Sequence, residues 1–216
     1  MRLLIVTQTV DSNDPILGFF VRWIEEFAKH LEHIEVICLT SGKYDFPKNV
    51  RVHSLGKEKG VSRLGYVLNF YQYVWQLRND YDAVFVHMNP EYVMLGGVWW
   101  RLWNKRVALW YTHKSVTLRL HFAELLSNVI FTASRESFRL KSEKVRVMGH
   151  GIDTEFFTPD PNVARGDWML SVGRLMKSKR HDLAIRRAAQ EGRELRIAGE
   201  GPEYQRLEAL GRELGV

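Results

Sequence analysis

Residues 145–182 read VRVMGHGIDTEFFTPDPNVARGDWMLSVGRLMKSKRHD, and this stretch decides how the chain divides. A short β-branched run, Val145 and Val147, ends in Gly149-His150-Gly151. A polar crossing punctuated by Pro159 and Pro161 follows, and then an apolar run from Trp168 to Val172 ends in Gly173-Arg174. Glycine supplies backbone freedom where a strand turns sharply, and Pro and Asp fix turns between elements. One α/β unit therefore ends near Met148 and a second begins near Asp167. The expected division is a first domain over 1–150, a crossing over 151–167 and a partial second domain over 168–216.

Working outward toward the N-terminus, LLIVT (Leu3–Thr7) is a continuous apolar run of the kind a central parallel strand shows when both its faces are buried. A loop is expected from Gln8 to Gly18. Phe19, Phe20, Trp23, Ile24, Phe27 and Leu31 then recur at helical spacing to about His33. A strand, a glycine-bearing loop and a helix N-terminus together make a common anion site, so Gly18 is either a phosphate-side residue or simply a turn residue. Further strands are expected at Ile34–Thr40, Val50–Leu55, Asp82–Met88, Val107–Thr112, Val129–Ala133 and Val145–Met148, giving a mostly parallel sheet of about seven strands. The stripe Leu64, Val67, Leu68, Tyr71, Val74, Trp75 and Leu77 reads as packing. Asp80-Tyr81-Asp82 has a metal-binding pattern but precedes a strand, where Asp commonly makes turns, and is read as such; no metal site is expected.

His87, Asn89 and Glu91 follow the Asp82–Met88 run, and His113-Lys114 follow Val107–Thr112. Ligands of open parallel sheets bind outside the carboxyl ends of strands, which makes His87, Asn89, Glu91 and Lys114 acceptor-side candidates. Capping of the next helix is the alternative for Asn89 and Glu91. In the second unit, Gly173, Arg174, Lys177, Lys179 and Arg180 crowd the end of one strand, and Gly199-Glu200-Gly201-Pro202 follows the next, Leu195–Ala198.

Three ordered segments, GHGIDTEFFTPD (149–160), LSVGRLMKSKRHD (170–182) and LRIAGEGPEYQRLEAL (195–210), resemble family 4 (group 1) retaining glycosyltransferases of the GT-B superfamily. The resemblance implies an acceptor-side Rossmann-like domain followed by the first β-α-β-α portion of a nucleotide-sugar-binding domain. It implies that Arg174 and Lys179, beside Gly173, hold a donor diphosphate, that Glu200 lies near the nucleotide end of the donor, that the Gly18 loop faces the diphosphate or the acceptor, and that His113 lies beside the transferring sugar. It implies no cofactor and no metal, the nucleotide-diphosphate sugar being a substrate. The family's later acidic motif would fall beyond Val216, so the resemblance also implies a truncated donor domain. A non-catalytic module completed by a partner chain or a second copy is the alternative, and an epimerase-type enzyme a third.

Bulk properties bound the rest. The hydrophobic fraction, 45%, is that of an ordinary globular chain. Cys38 is the single cysteine and cannot form an intramolecular disulfide, so a reduced, cytoplasmic protein is expected. The net charge of +6 is concentrated in residues 91–150, where ten Lys and Arg stand against four Asp and Glu. With Trp99, Trp100, Trp103 and Trp110 interleaved, that segment suits an anionic membrane surface at the inner face of the membrane, a solvated face without a partner being the alternative. No nucleic-acid-binding signature accompanies it, so nucleic acid is not expected as a partner.

Overall fold

The computed structural model describes residues 1–163 and 166–216; Ala164 and Arg165, within the expected crossing, lie outside the described residues. The chain divides into two compact units, Met1–Gly151 and Ile152–Val216.

The first unit is one parallel sheet. Its strands are β1 (Arg2–Val10), β2 (His33–Ser41), β3 (Val50–Ser54), β4 (Ala83–His87), β5 (Arg106–Trp110), β6 (Val129–Thr132) and β7 (Val145–Val147). They lie in the order β3-β2-β1-β4-β5-β6-β7, each neighbouring pair parallel. The order reverses between β1 and β4, where Leu3 pairs with Ala83 and Val6 with Val86. β1 runs three residues past the expected end, because Thr9 and Val10 continue the ladder against Thr40 and Ser41. At the start of β1 and β4 Arg2 binds Asp82 (Nη2–Oδ1 2.7 Å), so the Asp-x-Asp pattern makes a strand-opening pair.

Four helices connect the strands: α1 (Phe19–His30), α2 (Arg63–Gln76), α3 (Pro90–Leu102) and α4 (Leu118–Leu126). α1 packs on one face of the sheet through Phe20, Val21, Ile24 and Ala28, against Ile5, Val36 and Phe85. α2, α3 and α4 cover the other through Phe70, Val74, Tyr92, Val93, Trp100, Leu120 and Ala123. Ser62 and Thr117 cap α2 and α4 by accepting the N–H of Gly65 and Leu120. Ser134 does the same for the 3₁₀ turn Arg135–Ser137.

Two expectations about burial change here. The α2 stripe read as packing is mostly outward: Leu64 is 71% exposed, and Leu68, Tyr71 and Trp75 are also exposed. Within the stripe Val74 is buried and Leu77 packs against the core, and Phe70, outside the stripe, joins them. Conversely, Trp100 and Trp110 are buried and cannot meet a membrane, whereas Trp99 is exposed. The Trp100 indole N–H donates to the buried Tyr81 hydroxyl (3.1 Å). Cys38 is buried, and burial pushes its thiol up to about 12.

The second unit holds β8 (Met169–Val172), α5 (His181–Glu191), β9 (Leu195–Ala198) and α6 (Tyr204–Leu214). β8 and β9 pair in parallel. Leu175, Ile185, Leu207 and Leu210 form a small core with Leu195 and Ile197. Leu170 and Val172, alternating with Met169 and Ser171 along β8, are exposed. Among the described residues no helix is long and apolar enough to cross a membrane.

Candidate functional site

In the first unit the parallel sheet directs the carboxyl ends of β1, β4 and β5 to one rim, and the strand order reverses between β1 and β4. Crevices of open α/β sheets form at such reversals because the flanking connections leave to opposite faces. A cavity of about 660 Å³ lies there, lined by Gln8 of β1 and Ile16–Leu17 after it, His87 at the end of β4 and 88–91 after it, and Tyr111, His113, Ser115, Thr117 and Arg119 after β5.

Four of the expected site residues meet in this cavity: His87, Asn89, Glu91 and His113. Asn89 stands at the N-cap position of α3, yet its side chain makes no capping hydrogen bond. Pro90 opens the helix in its place, its fixed φ suiting the first turn. Glu91 is bound by Arg119 (2.8 Å), which brings a guanidinium into the lining. His113 Nδ1 accepts the N–H of Ser115 at 3.1 Å. In the neutral ring that bond leaves the proton on Nε2, so His113 offers a donor to an oxygen ligand. Met88, between these groups, has φ 66°. A non-glycine residue in this left-handed region costs about 1–3 kcal/mol, and the turn it makes carries the chain from β4 to Asn89.

His87 differs from its expected role as an open acceptor-side group. It is 1% exposed, its ring lies 3.9 Å from that of Phe20 in a stacked pair, and Nδ1 sits 3.2 Å from Thr7 Oγ1. Burial lowers its pKa to about 3, so the ring is a neutral floor to the cavity. Its Nε2 is buried without a hydrogen-bond partner among the described residues.

Gly18 and Lys114 are not among the lining residues. A Cβ on Gly18 would lie 2.6 Å from the Asp14 carbonyl oxygen and 2.9 Å from that of Ser12, so packing of loop on helix explains the glycine. The loop's amides are also taken. Asp14 accepts the N–H groups of Ile16 and Leu17 at its carboxylate, and that of Gly18 at its carbonyl. A carboxylate already in that position disfavours an anion beside it.

In the second unit the turns after β8 and β9 abut. Gly173 N–H donates to the Ala198 carbonyl (3.0 Å), Leu175 N–H to that of Glu200 (2.8 Å) and Glu203 N–H to that of Leu175 (3.0 Å). A Cβ at Gly199 would fall on the Gly173 carbonyl oxygen, and one at Gly201 would lie 2.5 Å from the Leu175 carbonyl oxygen. The two glycines therefore permit the approach, with Glu200 exposed between them. Arg174, Lys177 and Lys179 are exposed and make no ion pair among the described residues. Arg180 is different: its guanidinium binds Asp182 at 3.0 and 3.1 Å. Asp182 is thereby held below the usual carboxylate range. His181 is buried, with Nδ1 2.8 Å from Ser171 Oγ and Nε2 3.3 Å from the Arg174 carbonyl oxygen. It fixes the backbone that presents Arg174.

Gln8, Arg119 and His181 were not singled out from the sequence. Gln8 could have been found by extending the β1 ladder to Val10; the other two depend on contacts between elements. Among the described residues no group of three or more His, Cys, Asp or Glu is placed to hold a metal ion.

With this geometry in hand, solved structures place the architecture. HepE from Anabaena, in complex with UDP, superposes on 100% of this chain and 66% of its own, with a TM-score of 0.73 and 16% identity. Its complex with UDP-glucose gives 0.71 and 15%. MurG from Acinetobacter baumannii gives 0.55 and 12% over 99% of this chain and 63% of its own. The UDP-GlcNAc 2-epimerase of Methanocaldococcus jannaschii gives 0.52 and 12% over 100% of this chain and 69% of its own. The fold is GT-B. The first unit is a seven-stranded Rossmann-like parallel sheet and the second a β-α-β-α unit, and the chain spans 66% of the length of HepE. No protein-family model matches the sequence, and no curated protein matches it.

Proposed function

We propose that this chain is part of a retaining, nucleotide-sugar-dependent glycosyltransferase of the family 4 type. The observation that carries the reading is the cluster of Arg174, Lys177 and Lys179, cations without ion pairs among the described residues, beside two abutting glycine turns at the carboxyl ends of parallel strands. GT-B structures that resemble this one were solved with UDP and with UDP-glucose.

The chemistry asked of these residues is specific. Transfer breaks the bond between the anomeric carbon and the diphosphate, and negative charge develops on the departing phosphate oxygens. Arg174 offers a planar fork for bidentate phosphate binding and Lys179 a mobile point charge, so a metal is not needed for that charge. Glu200 is assigned to the nucleotide end of the donor. In the cavity of the first unit, His113 Nε2–H is assigned to a sugar oxygen, and Asn89, Glu91 and Arg119 to the acceptor, a glycan or a lipid-linked sugar. A cytoplasmic location belongs to the same proposal.

A second reading is an assembly module completed by a partner chain or a second copy. The exposed Leu170 and Val172 on the open side of β8–β9 favour it.

Titration calorimetry with UDP, UDP-glucose and UDP-GlcNAc tests the first reading. Binding of a UDP ligand that Arg174→Ala weakens by about 10-fold or more is expected, since one charged hydrogen-bonded contact carries that much. Binding that survives Arg174→Ala and Lys179→Ala unchanged removes the assigned site. Absence of binding with a concentration-dependent mass in sedimentation supports the assembly module.

A further inference from the structure

We infer that the outer face of α2, α3 and α4 is a docking surface for an anionic lipid membrane. The inference does not depend on the nucleotide-sugar reading, because it rests on a surface remote in sequence from Arg174 and made of side chains the candidate site does not use.

Each of the three helices turns a second apolar stripe away from the sheet. Leu68 and Trp75 of α2, Trp99 and Leu102 of α3, and Phe122 and Leu125 of α4 are between 40% and 71% exposed. The stripes join into one surface. The Trp75 ring meets Trp99 and Trp103 edge-on, with centroids 5.7 and 5.4 Å apart, and Arg101 Nη1 reaches the Leu125 carbonyl oxygen at 3.3 Å. Contiguous apolar patches of this kind are uncommon on surfaces that face only water.

Charge selects the occupant. No carboxylate stands between Glu58 and Asp80, or between Glu91 and Glu124. The two acids carried by these helices are engaged, Glu91 by Arg119 at 2.8 Å and Glu124 by Lys144 at 3.6 Å. Arg63, Arg78 and Arg101 have no ion pair among the described residues. Arg78 also lies over the Trp75 ring at 5.3 Å, so charge and aromatic surface share one place. A second copy would bring the same arginines face to face, and like charges across a contact are costly. An anionic headgroup layer satisfies the arginines while its acyl boundary accepts Trp and Leu, since tryptophan favours membrane interfaces and basic residues favour acidic lipid. Because Trp100 and Trp110 are core residues, the surface is the helix face and includes α2, which lies outside the basic segment 91–150.

The test is flotation of the whole chain with vesicles of phosphatidylcholine alone and of phosphatidylcholine mixed with phosphatidylglycerol, with sedimentation velocity in parallel. Retention on the mixed vesicles alone, falling as salt is raised, is expected. Leu68→Ser with Leu102→Ser, both exposed positions, should weaken retention by about 10-fold or more while leaving the melting curve in place. Arg63→Gln with Arg101→Gln should remove the preference for phosphatidylglycerol. Failure of the wild-type chain to float with mixed vesicles at low salt overturns the inference, as does equal retention of the leucine double variant. Self-association that the leucine variant abolishes also overturns it, since the face would then be a contact between copies.

Discussion

Replacing His87 by glutamine should make the first unit markedly less sensitive to acid. His87 is 1% exposed, stacked on Phe20, and among the described residues has no carboxylate in hydrogen-bond contact. Its pKa falls from an ordinary 6.5 to about 3 because burial penalises the charged ring. Between those two values the unfolded chain holds a proton that the folded chain refuses. Stability therefore rises with pH across the window: the contribution is fully present above 6.5 and is lost as pH falls toward 3. Each pH unit is worth about 1.4 kcal/mol. At about pH 4.5 the loss attributable to His87 is about 3 kcal/mol, and over the full window about 5 kcal/mol.

The assay is urea unfolding followed by tryptophan fluorescence, which reports the first unit because Trp168 alone among the seven tryptophans lies in the second. Wild type and His87→Gln are compared at about pH 7.5 and at about pH 4.5. Glutamine does not titrate and can still bond Thr7, and any constant cost of the substitution cancels in the double difference. The variant should lose ~2–3 kcal/mol less than wild type on acidification. A double difference below about 1 kcal/mol would mean that His87 takes up its proton in the folded state. The neutral-floor description of the cavity would then be wrong.

Two further predictions test packing in each unit. Trp100→Ala should cost about 3–5 kcal/mol by urea unfolding, as a fully buried indole that also hydrogen-bonds Tyr81 is lost; Trp99→Ala, at an exposed position of the same helix, should cost under about 1 kcal/mol. Gly199→Ala should force apart the turns after β8 and β9, because its Cβ would fall on the Gly173 carbonyl oxygen. Hydrogen exchange of α5 and α6 amides should then accelerate about 10-fold or more with the first unit unchanged, and unchanged exchange in α5 would show that the turns do not hold that unit together.

What the sequence made legible follows from which signals are local. Buried parallel strands read as continuous apolar runs, and LLIVT, IEVICLT and VALWYT each stand where β1, β2 and β5 lie. Glycine pairs around Glu200 announced a tight turn because only a residue without Cβ fits there. Spacing also placed His113, Asn89 and Glu91 at strand ends, and the cavity brings them together. Orientation was not legible. α2 carries Phe70 and Val74 on one side and Leu64, Leu68, Tyr71 and Trp75 on another. Hydrophobic period gives the angle between two such stripes without saying which of them meets the sheet. Adjacent Trp99 and Trp100 pose the same problem in two residues, and only the partner decides: Trp100 goes inward because Tyr81, 19 residues earlier, offers its hydroxyl. Gly18 was open between two roles for a related reason. A glycine between strand and helix has the same local signature whether a phosphate or a carbonyl occupies the space its side chain would fill, and here Asp14 occupies it. The residues that sequence patterning misassigned are thus those whose role is set by what stands opposite. The outward stripe of α2, α3 and α4 belongs to that class, and the vesicle experiment asks what stands opposite it.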